Sequence, residues 1–208
     1  MHDPFPLPRP TVLVPYVEKL ANVLSLQTLP LHYHEVAVAY AVYHITNKYV
    51  SPALSRYFFP RIYPSFNART KLNWDVHIVS FVQSVVICTL ALWVMWADTE
   101  RHEMDTKERV HGYTGASGLI QAFAGGYFLW DLVVTAQHVK IFGIGMLFHA
   151  ISALCVFSIG FVSASILQGA CGKYVLTIVT AALRQLLRAH LHPLRALVTL
   201  PQHSLVLR

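Results

Sequence analysis

From Val76 to Ala97 the chain runs for 22 residues, VHIVSFVQSVVICTLALWVMWA, without an Asp, Glu, Lys or Arg. As a helix rising about 1.5 Å per residue the run is about 33 Å long, enough to cross a bilayer core of about 30 Å. Asp75 and Asp98 bracket it. The first half carries His77, Ser80, Gln83 and Ser84, and the second half is almost wholly apolar. His77, Ser80 and Ser84 are spaced i, i+3, i+7 and share one helix face. A spanning helix with a polar stripe at one end faces protein or a cavity there rather than lipid.

The same pattern places the other elements. Residues 1–30 form an amino-terminal segment, Pro-rich at first (DPFPLPRP) and weakly helical from about Val12. A first span is expected from His32 to Ser55, with Glu35 and Lys48 near its ends and able to snorkel. A basic loop follows, then the Val76–Ala97 span, and then a loop rich in Asp and Glu. The third span is expected from His111 to Val134. Within it Gly118, Ala122 and Gly126 recur every four residues, a small-residue stripe for close helix packing. A fourth span starts near Ile141, and no charged residue appears from there to Gly172. The fold class is therefore all-α, a polytopic transmembrane helix bundle of about four spans with room for a fifth.

Composition agrees: 55% of the 208 residues are hydrophobic and 12% are charged. A soluble domain normally carries about twice that charged fraction. The net charge of +6 suggests nucleic acid until its distribution is read. Residues 1–161 hold 11 Lys/Arg and 10 Asp/Glu, so the basicity belongs to residues 162–208, which have five basic residues and no acidic one. No nucleic-acid partner is expected, and nothing in the pattern fixes a number of subunits. Cys88, Cys155 and Cys171 form no close pair and read as small buried hydrophobes. By the positive-inside rule, loop 56–75 with its Arg and Lys is cytoplasmic and loop 98–110 lumenal. A tail following four spans would then be lumenal, against the same rule.

Asp131, in GGYFLWDLVVTAQ, is the costliest residue, at about 2.5–3.5 kcal/mol for a carboxylate at a helix centre. His149, with Ser152 one turn on, is the natural partner for Asp131 or His77 across a helix interface. These residues, with Asp75 near the bilayer edge, form a set fit for general acid–base work or acyl acceptance. His149, Asp131 and His77 are the catalytic candidates. Asp75, Ser80, Gln83, Ser84, Gln121 and Ser152 are candidates to line a lipid site. Each also has a structural reading: buried His and Asp serve as interhelical hydrogen bonds, and Asp75 beside Trp74 reads as a helix cap. Tyr113, Trp93, Trp96 and Trp130 read as interfacial anchors. His32-x-His34-Glu35 has metal-ligand residues but no second cluster, so no metal is expected. Gly143-x-Gly145 lacks a third glycine and a preceding strand, so no dinucleotide cofactor is expected.

Four blocks carry a family resemblance: LPLHYHEV (29–36), TKLNWDVHIVSFVQS (70–84), GYTGASGLIQAFAGGYFLWDL (112–132) and FGIGMLFHAISALCVFSIGF (142–161). In this order the chain resembles the TLC-domain membrane proteins, in the fungal branch outside the ceramide synthases. The resemblance implies a helix bundle in the endoplasmic reticulum or a related membrane. It also implies a role in sphingolipid-related membrane-lipid homeostasis, with membrane lipids as partners. Ceramide synthases of this superfamily transfer an acyl group from acyl-CoA to a long-chain base, and their hallmark is an adjacent histidine pair. Here Phe148 and Ala150 flank His149. The resemblance carries over Asp131, His149 and His77.

The resemblance stops after Phe161, which divides the chain into a TLC-like domain over 31–161 and a basic tail over 162–208. Val162-Ser163 is what a common intron start encodes in frame, and the tail is expected to be read-through of a retained intron or a mispredicted exon boundary. The rival is an amphipathic tail with Arg184, Arg188, His192 and Arg195 on one stripe. Three functions follow: lipid binding or sensing, N-acyl transfer with acyl-CoA as substrate, or a truncated product with little activity.

Overall fold

The computed structural model describes residues 4–105 and 113–161. The expected start of the third span at His111, and every reading of residues 162–208, lie outside them. The described elements are α1 (Val14–Leu24), α2 (Leu29–Ile45), α3 (Ser51–Phe58), α4 (Ala68–Ala97), α5 (Thr99–Glu103), α6 (Gly115–Gln137), α7 (Val139–Phe142) and α8 (Ile144–Ser158). No strand occurs among the described residues. Among the described residues three helices are long and apolar enough to cross a membrane: Ala68–Ala97, Gly115–Gln137 and Ile144–Phe161. The molecule is an all-helical membrane bundle, as the hydrophobic pattern requires.

The region expected as the first span is helical but outside that set of three. The helix passes from α2 through one wide π turn at Thr46–Val50 into α3. Pro52 explains the widening, because it has no N–H for the carbonyl one turn back and its ring crowds that carbonyl. Glu35, expected to snorkel, is instead 0% exposed.

α6 is the centre of the bundle. α4 runs antiparallel to it: Ile87, Ala91 and Val94 pack on Ala116, Ile120 and Ala124 at one end, and Val79 meets Trp130 and Val134 at the other. α2 runs parallel to α6, bringing Ala39 and Tyr43 into the second cluster. The close approach needs the glycines. A Cβ at Gly126 would meet Ala39 Cβ at 2.6 Å and the Val36 carbonyl at 2.7 Å. Gly118 leaves room for the His32 ring and the Tyr113 hydroxyl. The stripe of small residues at 118, 122 and 126 is thus buried under α2.

α8 returns along α6 after a break at Gly143, whose φ of 85° suits a residue without a Cβ. Phe161 is buried with Ala21, Leu26 and Ala122. Its carbonyl accepts from the Thr28 N–H (3.0 Å) and the Thr28 hydroxyl (3.1 Å), tying the last described residue to the start of α2.

α4 starts earlier than the apolar run does. Asn67 is its N-cap, accepting from the Thr70 N–H at 2.8 Å. Asp75 therefore lies two turns inside the helix, and its reading as a cap is corrected. Its carboxylate accepts from Ser51 Oγ (2.6 Å) and from the Tyr63 hydroxyl (2.9 Å to Oδ2), while Trp74 Nε1 donates to Ser55 Oγ (2.8 Å). These bonds latch α3 and the loop after it onto α4. Burial pushes the Tyr63 phenol up to about 12 from 10.0, and the adjacent Asp75 carboxylate adds to the shift. A proton held more tightly in the fold than in the free chain stabilises the fold below the free-chain value and stops doing so above the folded one. The latch should therefore weaken between pH 10 and about 12. Tyr63→Phe should remove one tyrosinate absorbance step in that range, together with the associated loss of melting temperature. An unchanged alkaline titration in the variant would show that Tyr63 does not titrate there.

Candidate functional site

The structure divides the expected polar site into three parts. The first comprises four side chains on α4, α6 and α8, of which two are hydrogen-bonded. Ser80 and Tyr127 share a hydrogen bond at 3.0 Å. Tyr127 lies one turn before Asp131 on α6 and within its electrostatic reach, and Asp131 lies within electrostatic reach of His149 on α8. Asp131 is half-buried on α6 and His149 is exposed on α8. No hydrogen bond or ion pair between them occurs.

The remaining candidates do not converge there. His77 is exposed on α4, outside the interface that holds Ser80. The helical stripe of His77, Ser80 and Ser84 is thus split: Ser80 is half-buried and Ser84 buried, and each hydroxyl donates to the carbonyl one turn back, Ser80 to Val76 at 3.0 Å and Ser84 to Ser80 at 2.9 Å. Gln83 accepts the Tyr43 hydroxyl in the α2–α4 interface. Gln121 donates to the Phe157 carbonyl, fastening α6 to α8. Ser152 is exposed and donates to the Phe148 carbonyl at 2.8 Å. Asp75, little more than one turn before Ser80 on α4, belongs to the latch with Ser51 and Tyr63.

The second part was discounted in the sequence. His32 and Glu35, one turn apart on α2, are 2% and 0% exposed. His32 Nδ1 donates to Glu35 Oε1 at 2.8 Å, which in the neutral ring leaves Nε2 to accept from the Tyr113 hydroxyl. The i, i+3 spacing of His32 and Glu35 was the available signal. Tyr113 is accordingly a buried-site partner rather than an interfacial anchor. Trp130, also expected at the interface, is 0% exposed, whereas Trp93 and Trp96 are exposed as anchors should be. Among the described residues no group of three or more His, Cys, Asp or Glu is placed to hold a metal.

The third part is the aromatic lining. Tyr43, Tyr127 and Trp130 pack together between α2, α4 and α6. Sequence reasoning missed both tyrosines, although Tyr127 sits four residues before Asp131 and so on its helix face.

A helical bundle with three helices long and apolar enough to span a bilayer among its described residues defines a class of membrane-embedded protein, and comparison narrows it. Residues 73–184 match the TLC domain family, and the chain belongs to that family. The match extends past Phe161, where the motif resemblance stops. The chain is 35% identical over 156 residues to an uncharacterized TLC domain-containing protein of Schizosaccharomyces pombe, covering 74% of this chain and 51% of the relative. It is 29% identical over 127 residues to Topoisomerase I damage affected protein 4 of Saccharomyces cerevisiae, covering 60% of this chain and 43% of that one. The chain thus spans about half the length of the curated relatives it matches. No solved structure matches.

Proposed function

We propose that this chain belongs to a lipid-binding or lipid-sensing membrane protein that acts in membrane-lipid homeostasis, in the endoplasmic reticulum. A lipid headgroup contacts Asp131 and His149 between α6 and α8, with Tyr127 and Ser80 behind them. The observation that carries this reading is the half-buried carboxylate of Asp131 on a spanning helix, which makes no hydrogen bond or ion pair among the described residues. A carboxylate in hydrocarbon is costly without a partner, and a headgroup supplying a donor or a cation would relieve that cost. The acyl chains would lie along the apolar face of α8, where Ile144, Met146, Phe148 and Ile151 are exposed.

Acyl transfer from acyl-CoA is the second reading, favoured by the same imidazole near the same carboxylate. Against it stands the residue after His149. Ala150 is 0% exposed, so the inward position beside that histidine carries a methyl group and no second imidazole.

Cells lacking the protein, complemented with wild type, His149→Ala or Asp131→Asn, separate these readings by lipidomics. A binding role predicts normal protein abundance with a graded shift in lipid composition. An enzyme predicts complete loss of one product class with either substitution. Lipid profiles identical to wild type in both variants would sink both readings.

A further inference from the structure

The amino-terminal end of α4, with α3 and the loop before it, carries a surface that this reading does not use. Between Val36 and Trp74 the chain has five Lys/Arg and no Asp or Glu. Arg56 lies in the last turn of α3, Arg61 in the loop that follows and Arg69 in the first turn of α4, where it donates to the Ile141 carbonyl at 3.4 Å; all three are exposed. The ion pairs among the described residues join His32 and His34 to Glu35, so no carboxylate there neutralises these arginines. The one carboxylate nearby, Asp75, is 8% exposed and occupied by Ser51 and Tyr63.

Large apolar side chains project among the arginines. Tyr57 is 79% exposed, Phe58 66% and Ile62 54%. The backbone beneath them is fixed. Trp74 packs between Phe59 and Phe66, Lys71 Nζ donates to the Pro64 carbonyl at 3.1 Å, and the Asp75 latch closes the loop onto α4. The other end of α4 is of opposite sign, with Asp98, Glu100, Glu103 and Asp105 against Arg101.

We propose that α3 and the loop over 59–67 form a docking surface for anionic phospholipid headgroups, seating this end of the bundle on the negatively charged leaflet. Exposed aromatics beside arginines without a carboxylate partner match both layers of such a leaflet. The rings enter the headgroup boundary, and each guanidinium presents a planar pair of donors to a phosphate or carboxylate. Juxtamembrane basic residues draw anionic lipid to within a Debye length of the surface. The latch makes the surface preformed, so docking requires little ordering of the loop. This surface is separate from the Asp131–His149 site and stands or falls without it.

The test uses the full chain, purified in detergent, stripped of lipid and offered equal amounts of phosphatidylserine and phosphatidylcholine. Retained lipid is counted by native mass spectrometry. Wild type should retain phosphatidylserine over phosphatidylcholine by about tenfold or more. Arg56→Gln/Arg61→Gln/Arg69→Gln should bring the ratio close to one, and the matching triple Lys variant should keep most of the preference. The Lys variant separates lost charge from lost fold. Equal retention of the two lipids by wild type would overturn the proposal, as would a preference that survives the Gln substitutions. Displacement of phosphatidylserine by a soluble polyglutamate peptide would assign the surface to an acidic protein instead, and would also overturn it.

Discussion

Gly126→Val should strip the membrane fraction of folded protein. The new Cβ would sit 2.7 Å from the Val36 carbonyl and 3.0 Å from the Tyr40 nitrogen. Both obstacles are backbone of α2, so no side-chain rotation relieves them, and α2 must move away from α6. Overpacking costs about 1–3 kcal/mol where side chains can adjust, and a rigid backbone contact belongs at or above the top of that range. Moving α2 also opens the cluster of Ala39, Tyr43 and Trp130 and disturbs the Tyr43–Gln83 bond. Gly145→Val is the control, because nothing lies within 4 Å of a Cβ there. Quantifying both variants in membranes, and melting them in detergent, checks the prediction. Equal abundance of the two would mean that the α2–α6 crossing is not needed for the fold.

The second large effect concerns Glu35. Replacing it with Ala leaves the His32 Nδ1–H without its acceptor in a site that is 2% exposed. An unmet buried donor costs about 1–3 kcal/mol. Glu35→Gln keeps an acceptor oxygen in place and should lose about half as much or less. The measurement is the melting temperature of each variant in the same detergent. If Glu35→Ala melts with the wild type, the His32–Glu35–Tyr113 cluster contributes nothing to stability. If the Gln and Ala variants fall equally, the negative charge rather than the hydrogen bond holds the site.

The parts of this fold that sequence made legible are those decided by hydrocarbon and by steric size. The uncharged run from Val76 to Ala97 had to lie within a spanning helix, and Gly118, Ala122 and Gly126 could only serve a close helix contact. The starts of helices were harder to see. Apolarity marks where a helix enters hydrocarbon, not where its hydrogen bonding begins, so Asp75 looked like a boundary although Asn67 caps the helix two turns earlier. Polar residues were legible as expensive and illegible as partners. Spacing along α4 put His77 with Ser80, yet packing against α6 turned Ser80 towards Tyr127 and left His77 outside. Glu35 was misread for the same reason: its compensation comes from His32 beside it and from Tyr113, 81 positions from that histidine. One-dimensional periodicity says which face a residue occupies, and only tertiary contact says what that face meets.

The parallel packing of α2 on α6 also sets an order of assembly. α2 is synthesised first, but the Gly118 notch that receives His32 is made 86 residues later. At about 5–20 residues per second, that is a wait of roughly 4–17 s. Throughout that interval the Glu35 carboxylate and the His32 imidazole lack the wall that will enclose them, while α4 is already being threaded into the bilayer. α2 must therefore be sheltered by water, by the insertion machinery or by lipid headgroups until α6 arrives. Phe161, whose carbonyl closes on Thr28, completes the described bundle only after that.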